Sequence, residues 1–146
     1  MKIIVCNARD AFKRSIKERM QSTVNMYKLH VVSILESHLN DSNAQSFIKS
    51  LGRNRVGVSA HSCGAFRGIK LARDVSSIQC QILYVQYHVI HAIIHVDKIG
   101  PFLYSSIYAS TNPINRAEVW NEMSGSFKSW IVKGILATMQ SLKKMA

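Results

Sequence analysis

Acidic residues are scarce in this chain, eight against 19 lysines and arginines in 146 residues, which leaves a formal net charge of +11. So large an excess attracts polyanions and disfavours basic partners, which makes nucleic acid the natural candidate; its plainer use is to keep an apolar chain dispersed. Cysteine is nearly as sparse. Cys6, Cys63 and Cys80 are odd in number and show no CxxC spacing, which argues against a disulfide framework or a zinc knuckle. A reducing intracellular compartment, nucleus or cytoplasm, fits that usage. No apolar run reaches the ~18 residues that span a bilayer, and the basic stretch after the first apolar run lacks the h-region of a secretory signal. Neither a membrane partner nor export is therefore expected. Repeats, low-complexity tracts and linkers are missing too, so the length suits one domain with one core, residues 1–138, followed by a short basic tail, residues 139–146.

What is present starts with two short apolar runs, each ending in a polar residue. Lys2-Ile3-Ile4-Val5-Cys6 leads into Asn7, and Val31-Val32-Ser33-Ile34-Leu35 leads into Glu36. Continuous β-branched runs of about five residues read as strands buried on both faces, the kind found inside α/β layers. Between them Ile16, Met20 and Val24 recur every four residues, one face of an amphipathic helix whose outer face, from Lys13 to Lys28, is basic. Strand, helix and strand make a parallel βαβ crossover, which brings Asn7 and Glu36 to one sheet edge. That edge is where open α/β sheets usually bind ligands. An amide and a carboxylate there are the beginning of a hard-metal phosphate site.

Asp41-Ser42-Asn43 offers caps for a second, short helix with Phe47, Ile48 and Leu51 as its stripe and Gly52 as its stop. From Arg55 onward Val56 and Val58, Ile69 and Leu71, Ile78 to Val96 and Phe102 to Tyr108 read as an antiparallel meander. Asn112-Pro113 breaks the last strand and opens a helix whose buried face would use Val119, Trp120, Met123 and Phe127. Trp130-Ile131-Val132 begins one more strand. His88, His91 and His95 would share a face on a helix, a zinc-like spacing, but the surrounding Val and Ile residues favour strand, where His88 faces away from the other two.

Taken in order, these motifs resemble the endonuclease/exonuclease/phosphatase superfamily, particularly the endonucleases of plant LINE-type retrotransposons. Lys2 to Arg9 is similar to the family's opening strand, with Cys6 where a Trp is usual, Asp10 where a Gly is usual, and Asn7 kept. His30 to His38 resembles the strand that delivers the metal-binding glutamate, which falls on Glu36. Ser106 to Pro113, with Arg116 and Val119-Trp120, resembles the tyrosine strand and its following helix, so Tyr108 matches the active-site tyrosine. The resemblance implies a four-layer α/β sandwich of two mixed sheets with helices outside, of which this chain represents a partial form with the C-terminal sheet largely missing. It also implies Mg²⁺ (or Mn²⁺) held by Glu36, Asn7 and Tyr108 in catalytic positions, and nucleic-acid contacts from Arg9, Asn112 and Arg116.

The departures are equally definite. Trp130 to Ala137 aligns with a family strand that continues Gly-Asp-Phe-Asn, so Ile135 stands in the aspartate's place and Ala137 in the asparagine's. A closing Ser-Asp-His segment would lie beyond Ala146, and the Gly-Gly-apolar pattern reads Arg67-Gly68-Ile69-Lys70. What the resemblance implies is thus a truncated or degenerate metal-dependent DNA endonuclease domain of retrotransposon origin with impaired catalysis. The alternative is a non-catalytic basic module that binds nucleic acid. Half a sandwich would also expose the apolar inner face of a sheet and call for a covering protein partner or self-association. Read without the family, Glu36 is a solvent-facing strand end, Asn7 a turn residue and Tyr108 an ordinary strand aromatic.

Overall fold

The computed structural model describes residues 1–8, 13–37, 40–61, 68–98, 100–109, 112–121, 123 and 124. Its first unit is the expected crossover: β1 (Ile3–Asn7), α1 (Arg14–Tyr27) and β2 (Val31–Leu35), with the two strands parallel and Ile3 opposite Val31. β2 is buried along its length as its unbroken apolar run requires. β1 differs from the expectation. Val5 is 55% exposed and Asn7 is exposed, because β1 ends its sheet among the described residues.

On α1, Met20 and Val24 are buried and Ile16 packs beside them, as the four-residue spacing demands. Lys28 closes the helix at φ 49°, in the left-handed region, with its backbone N–H on the Val24 carbonyl. On the basic outer face Arg14 and Glu18 pair at 2.7 Å, four residues apart and exposed. Such a pair is worth about 0.3–0.5 kcal/mol.

α2 (Asp41–Ser50) starts one residue earlier than its cap signal suggested. Asn40 is the cap, its side chain accepting from the Asn43 N–H at 2.9 Å, while Phe47, Ile48 and Leu51 are buried as expected. Gly52 follows at φ 155°, the stop position expected of it. β3 (Arg55–Ala60) and β4 (Ile69–Asp74) then join the first sheet in the order β1-β2-β4-β3. Arg55, buried at 8% exposure, donates from its guanidinium to the His30 carbonyl at 3.2 Å and to the Leu29 carbonyl.

β5 (Gln79–Gln86), β6 (Val89–Val96) and β7 (Gly100–Ile107) form a separate antiparallel sheet in sequence order, with a register irregularity between Ile82 and Tyr84. The meander read from Arg55 onward is thus divided between two sheets. Its first two strands join the sheet of β2, with β4 beside β2 and β3 beyond it, because β4 supplies Ile69 and Leu71 on one face and Ala72 on the other for two different cores. One core lies between the first sheet and the helices. The other lies between the sheets, where Val31, Ile69 and Leu71 meet Ile90, Ala92 and Ile94. The inner face of the first sheet is therefore covered by the three strands of the second, where the sequence reading left it bare.

After β7 a third helix, α3, occupies residues 113–121 and helical geometry continues at residues 123 and 124. The Asn112 side chain caps it by accepting from the Ile114 N–H at 2.9 Å, and Pro113 takes the first helical position, where its missing N–H costs nothing. Val119 is fully buried and Met123 half-buried, but Trp120 is 56% exposed, against the expectation that it would share the buried face. One position on a helix is a rotation of about 100°, enough to carry a residue off a narrow apolar stripe. Phe127, the strand expected from Trp130 and the tail at residues 139–146 lie outside the described residues. Among the described residues no helix is long and apolar enough to cross a membrane.

Candidate active site

Parallel pairing of β1 with β2 sets the site. Asn7 lies opposite Leu35, and the Ala8 N–H donates to the Leu35 carbonyl at 3.0 Å, so Asn7 and Glu36 leave the sheet side by side. On the second sheet, the Tyr108 N–H donates to the His88 carbonyl at 3.0 Å, which places Tyr108 at the end of β7 beside the turn at residues 87 and 88. The two ends meet. The Tyr108 hydroxyl donates to Glu36 Oε1, joining residues 72 apart in the chain, and each side chain is only 9% exposed.

A backbone feature accompanies that meeting. Extended alternation along β2 would put Glu36 on the same face as Ile34, toward the helices. Glu36 instead has φ 55°, a left-handed conformation that costs a non-glycine residue about 1–2 kcal/mol. The turn takes Glu36 out of the alternation, and its carboxylate meets a residue of the inter-sheet core. A residue held there against its backbone preference is a mark of functional sites.

Polar groups also lie beneath this pair. The Ser33 and Ser106 hydroxyls are hydrogen-bonded across the sheets in a fully buried position. Burial pushes the phenol of Tyr104 up from its usual pKa, although hydrogen bonds to Ser33 and Ser106 oppose the shift. Lys70 is fully buried on β4, opposite Ile34 and two positions short of Glu36 along that row. Sequence reasoning passed over Ser33, Ser106 and Lys70. A polar residue inside an apolar strand was the available signal, since a buried lysine is rare.

The other expected site residues are distributed as follows. Asn7 and Asn112 are exposed, with Asn112 Oδ1 engaged in capping α3, and Arg116 is exposed on that helix. Arg9, Ile135 and Ala137 lie outside the described residues. His88 sits in the turn before β6 while His91 and His95 lie on that strand, so the helical alignment of the three is not formed. His91 Nδ1 instead shares a hydrogen bond with Ser105 Oγ at 2.7 Å. Among the described residues no three His, Cys, Asp or Glu side chains converge.

Among the described residues the carboxylate at this edge is that of Glu36, and Asn7, whose side chain carries an amide oxygen, closes the neighbouring strand. Those are hard oxygen donors, and Mg²⁺ is commonly held by one or two carboxylates plus water and substrate phosphate. The residues fit that ion in donor type. Burial raises the pKa of the Cys6 and Cys80 thiols, with the Arg73 charge partly offsetting the latter.

No family model matches the chain, and no curated protein matches it. Solved structures do. The endonuclease domain of TRAS1, a telomere-specific non-LTR retrotransposon, aligns with a TM-score of 0.59 at 12% identity over 83% of this chain and 52% of that one. A humanized D. rerio TDP2 carrying 14 mutations aligns with a TM-score of 0.52 at 13% identity over 85% of this chain and 56% of that one. This chain thus spans about half the length of the solved structures it matches. The likeness is one of architecture, and it agrees with the layers described above: the chain has the endonuclease/exonuclease/phosphatase-like fold in the form of a partial α/β sandwich.

Proposed function

We propose that this chain is a degenerate metal-dependent DNA endonuclease domain of retrotransposon origin, retaining the metal and phosphate side of the site and impaired in catalysis. The observation that carries the reading is the hydrogen bond from Tyr108 to Glu36 across the two sheets, at the strand ends that also hold Asn7. In this reading Glu36 holds Mg²⁺ or Mn²⁺, which when bound polarises a phosphoryl oxygen and neutralises its charge. Asn7 orients a phosphate oxygen through its amide. Tyr108 fixes the carboxylate with its single hydroxyl proton, and that proton would become available to charge developing on phosphate once a bound ion took over Glu36. Arg9, Asn112 and Arg116 are assigned to the nucleic-acid backbone. Impairment follows from Ile135 and Ala137, which cannot position a nucleophile where the resembled family has Asp and Asn. Loss of one positioned general base typically lowers a rate by about 10²- to 10⁴-fold.

A second reading, favoured by the +11 charge, is a nucleic-acid-binding module with no chemistry. Nicking of supercoiled plasmid separates the two. The degenerate-enzyme reading expects trace nicking at most, strictly dependent on Mg²⁺ or Mn²⁺ and abolished in Glu36→Gln, together with a Mg²⁺-dependent change in Tyr108 absorbance that Glu36→Gln also abolishes. DNA binding that is identical in both proteins, with no metal response by either measure, would leave only the binding module. Turnover at an ordinary enzymatic rate would overturn the impairment.

A further inference from the structure

Trp120 is the largest side chain on α3 and is 56% exposed, although aromatic residues of that size are on average well buried. It is not alone on its flank. Asn112, Arg116 and Trp120 follow at intervals of four, so on a helix they form one stripe, while Val119 and Met123 take the inward face and Glu118 lies on the far side. The stripe begins four residues after Tyr108 and carries its tryptophan about 10 Å along the helix axis from the helix start. A cation beside an exposed indole, continuous with a strand end assigned to phosphate, has the chemistry of a stacking platform for a nucleobase. The charge supports that occupant over a protein surface. The chain carries +11 overall, the stripe itself holds Arg116 and no acidic residue, and polyanion binding needs no apolar complement on the partner.

We infer that Trp120 stacks on an unpaired base of a bound nucleic-acid strand, with Arg116 on the adjoining phosphate. The inference rests on the nucleic-acid reading given above and extends it away from the metal edge. Its free energy comes from the indole face, so it tolerates any base and any sequence.

The full chain is titrated with a single-stranded oligonucleotide of about ten nucleotides, a length in the usual range for one binding fold. Tryptophan emission and the anisotropy of a labelled strand are followed together. Two tryptophans are present, so Trp120→Phe identifies the part of the emission change that belongs to Trp120. The expected result is a salt-reversible quench, saturating at the midpoint of the anisotropy curve and lost in Trp120→Phe. Trp120→Ala is expected to weaken binding about 5- to 100-fold and Trp120→Phe to restore most of it, because stacking needs a ring and not an indole nitrogen. Anisotropy that rises with no Trp120 emission change overturns the stacking and leaves the nucleic-acid reading standing. No anisotropy change at low salt overturns both. Protection of Trp120 from acrylamide in the free protein, which would mean that the chain or a second copy covers it, also overturns the proposal.

Discussion

Glu36 and Tyr108 are individually ordinary, a carboxylate after one strand and a phenol after another. Their significance lies in a hydrogen bond made at low exposure and in the left-handed backbone at Glu36. A charge-assisted bond of this kind is worth about 1.5–3 kcal/mol. Tyr108→Phe is accordingly expected to lower the unfolding free energy by that amount in urea titrations. Combined with Glu36→Gln it should cost little more than Tyr108→Phe alone, since both changes act on one interaction, the Gln amide oxygen still accepting from Tyr108 but without the charge. Asp74 offers a pH-dependent counterpart away from the site. Burial opposes its charge, but the Ser76 hydroxyl at 2.6 Å, the Ser76 N–H at 2.9 Å, the Ser77 hydroxyl at 3.0 Å and the Arg55 charge together hold its carboxyl below the usual value. A carboxyl depressed on folding contributes stability above its unfolded value, near pH 4, and that contribution is lost as pH falls through the folded value. Thermal melts between about pH 2 and pH 5 should therefore show a shallower decline in Asp74→Asn than in the parent.

At the scale of elements, the joint between α2 and β3 depends on one glycine. A Cβ at Gly57 would overlap the Leu71 carbonyl oxygen and stand 2.8 Å from Ile48 Cδ1, so the helix can lie on the strand only where no side chain intervenes. Gly57→Ala is expected to destabilise the fold by about 1–3 kcal/mol through overpacking, read from the denaturation midpoint. Arg55 braces the same strand from its start, through the carbonyls that end the α1 to β2 connection. Both contacts act on the position of β4, which carries Ile69 and Leu71 to the inter-sheet core and lies beside β2, the strand that presents Glu36. A loosened joint would thus be felt at the site without touching any site residue.

For the whole molecule the relevant quantities are charge and the fit of two sheets. With +11 spread over 146 residues, affinity for DNA should fall steeply with salt, by roughly 100-fold between ~50 and ~200 mM if about four phosphates are contacted. Glu36→Gln should leave that slope unchanged, which anisotropy titrations at several salt concentrations would check. Much of the architecture was legible beforehand, for a physical reason. Hydrophobic period, caps and breakers act over a few residues, so the β1-α1-β2 crossover, the α2 stripe and the Asn112-Pro113 stop could be read from neighbours alone. Asn7 and Glu36 were visible in the same way, as polar residues closing apolar strands, whereas Tyr108 stood out only through the resemblance of its strand to the family's tyrosine strand. Contacts between distant segments were not. The split of the strands after Arg55 into two sheets depends on which faces of β4 find a core, and local alternation looks the same in either arrangement. Trp120 illustrates the limit most simply, since its neighbour Val119 is fully buried and only the seating of α3 decides which of the two faces inward. By itself the sequence determined the elements, their order and the polar groups at their ends. That Tyr108 donates to Glu36 was decided by the stacking of the sheets and a left-handed turn, because a hydrogen bond between residues 72 apart depends on non-local packing that no local pattern encodes.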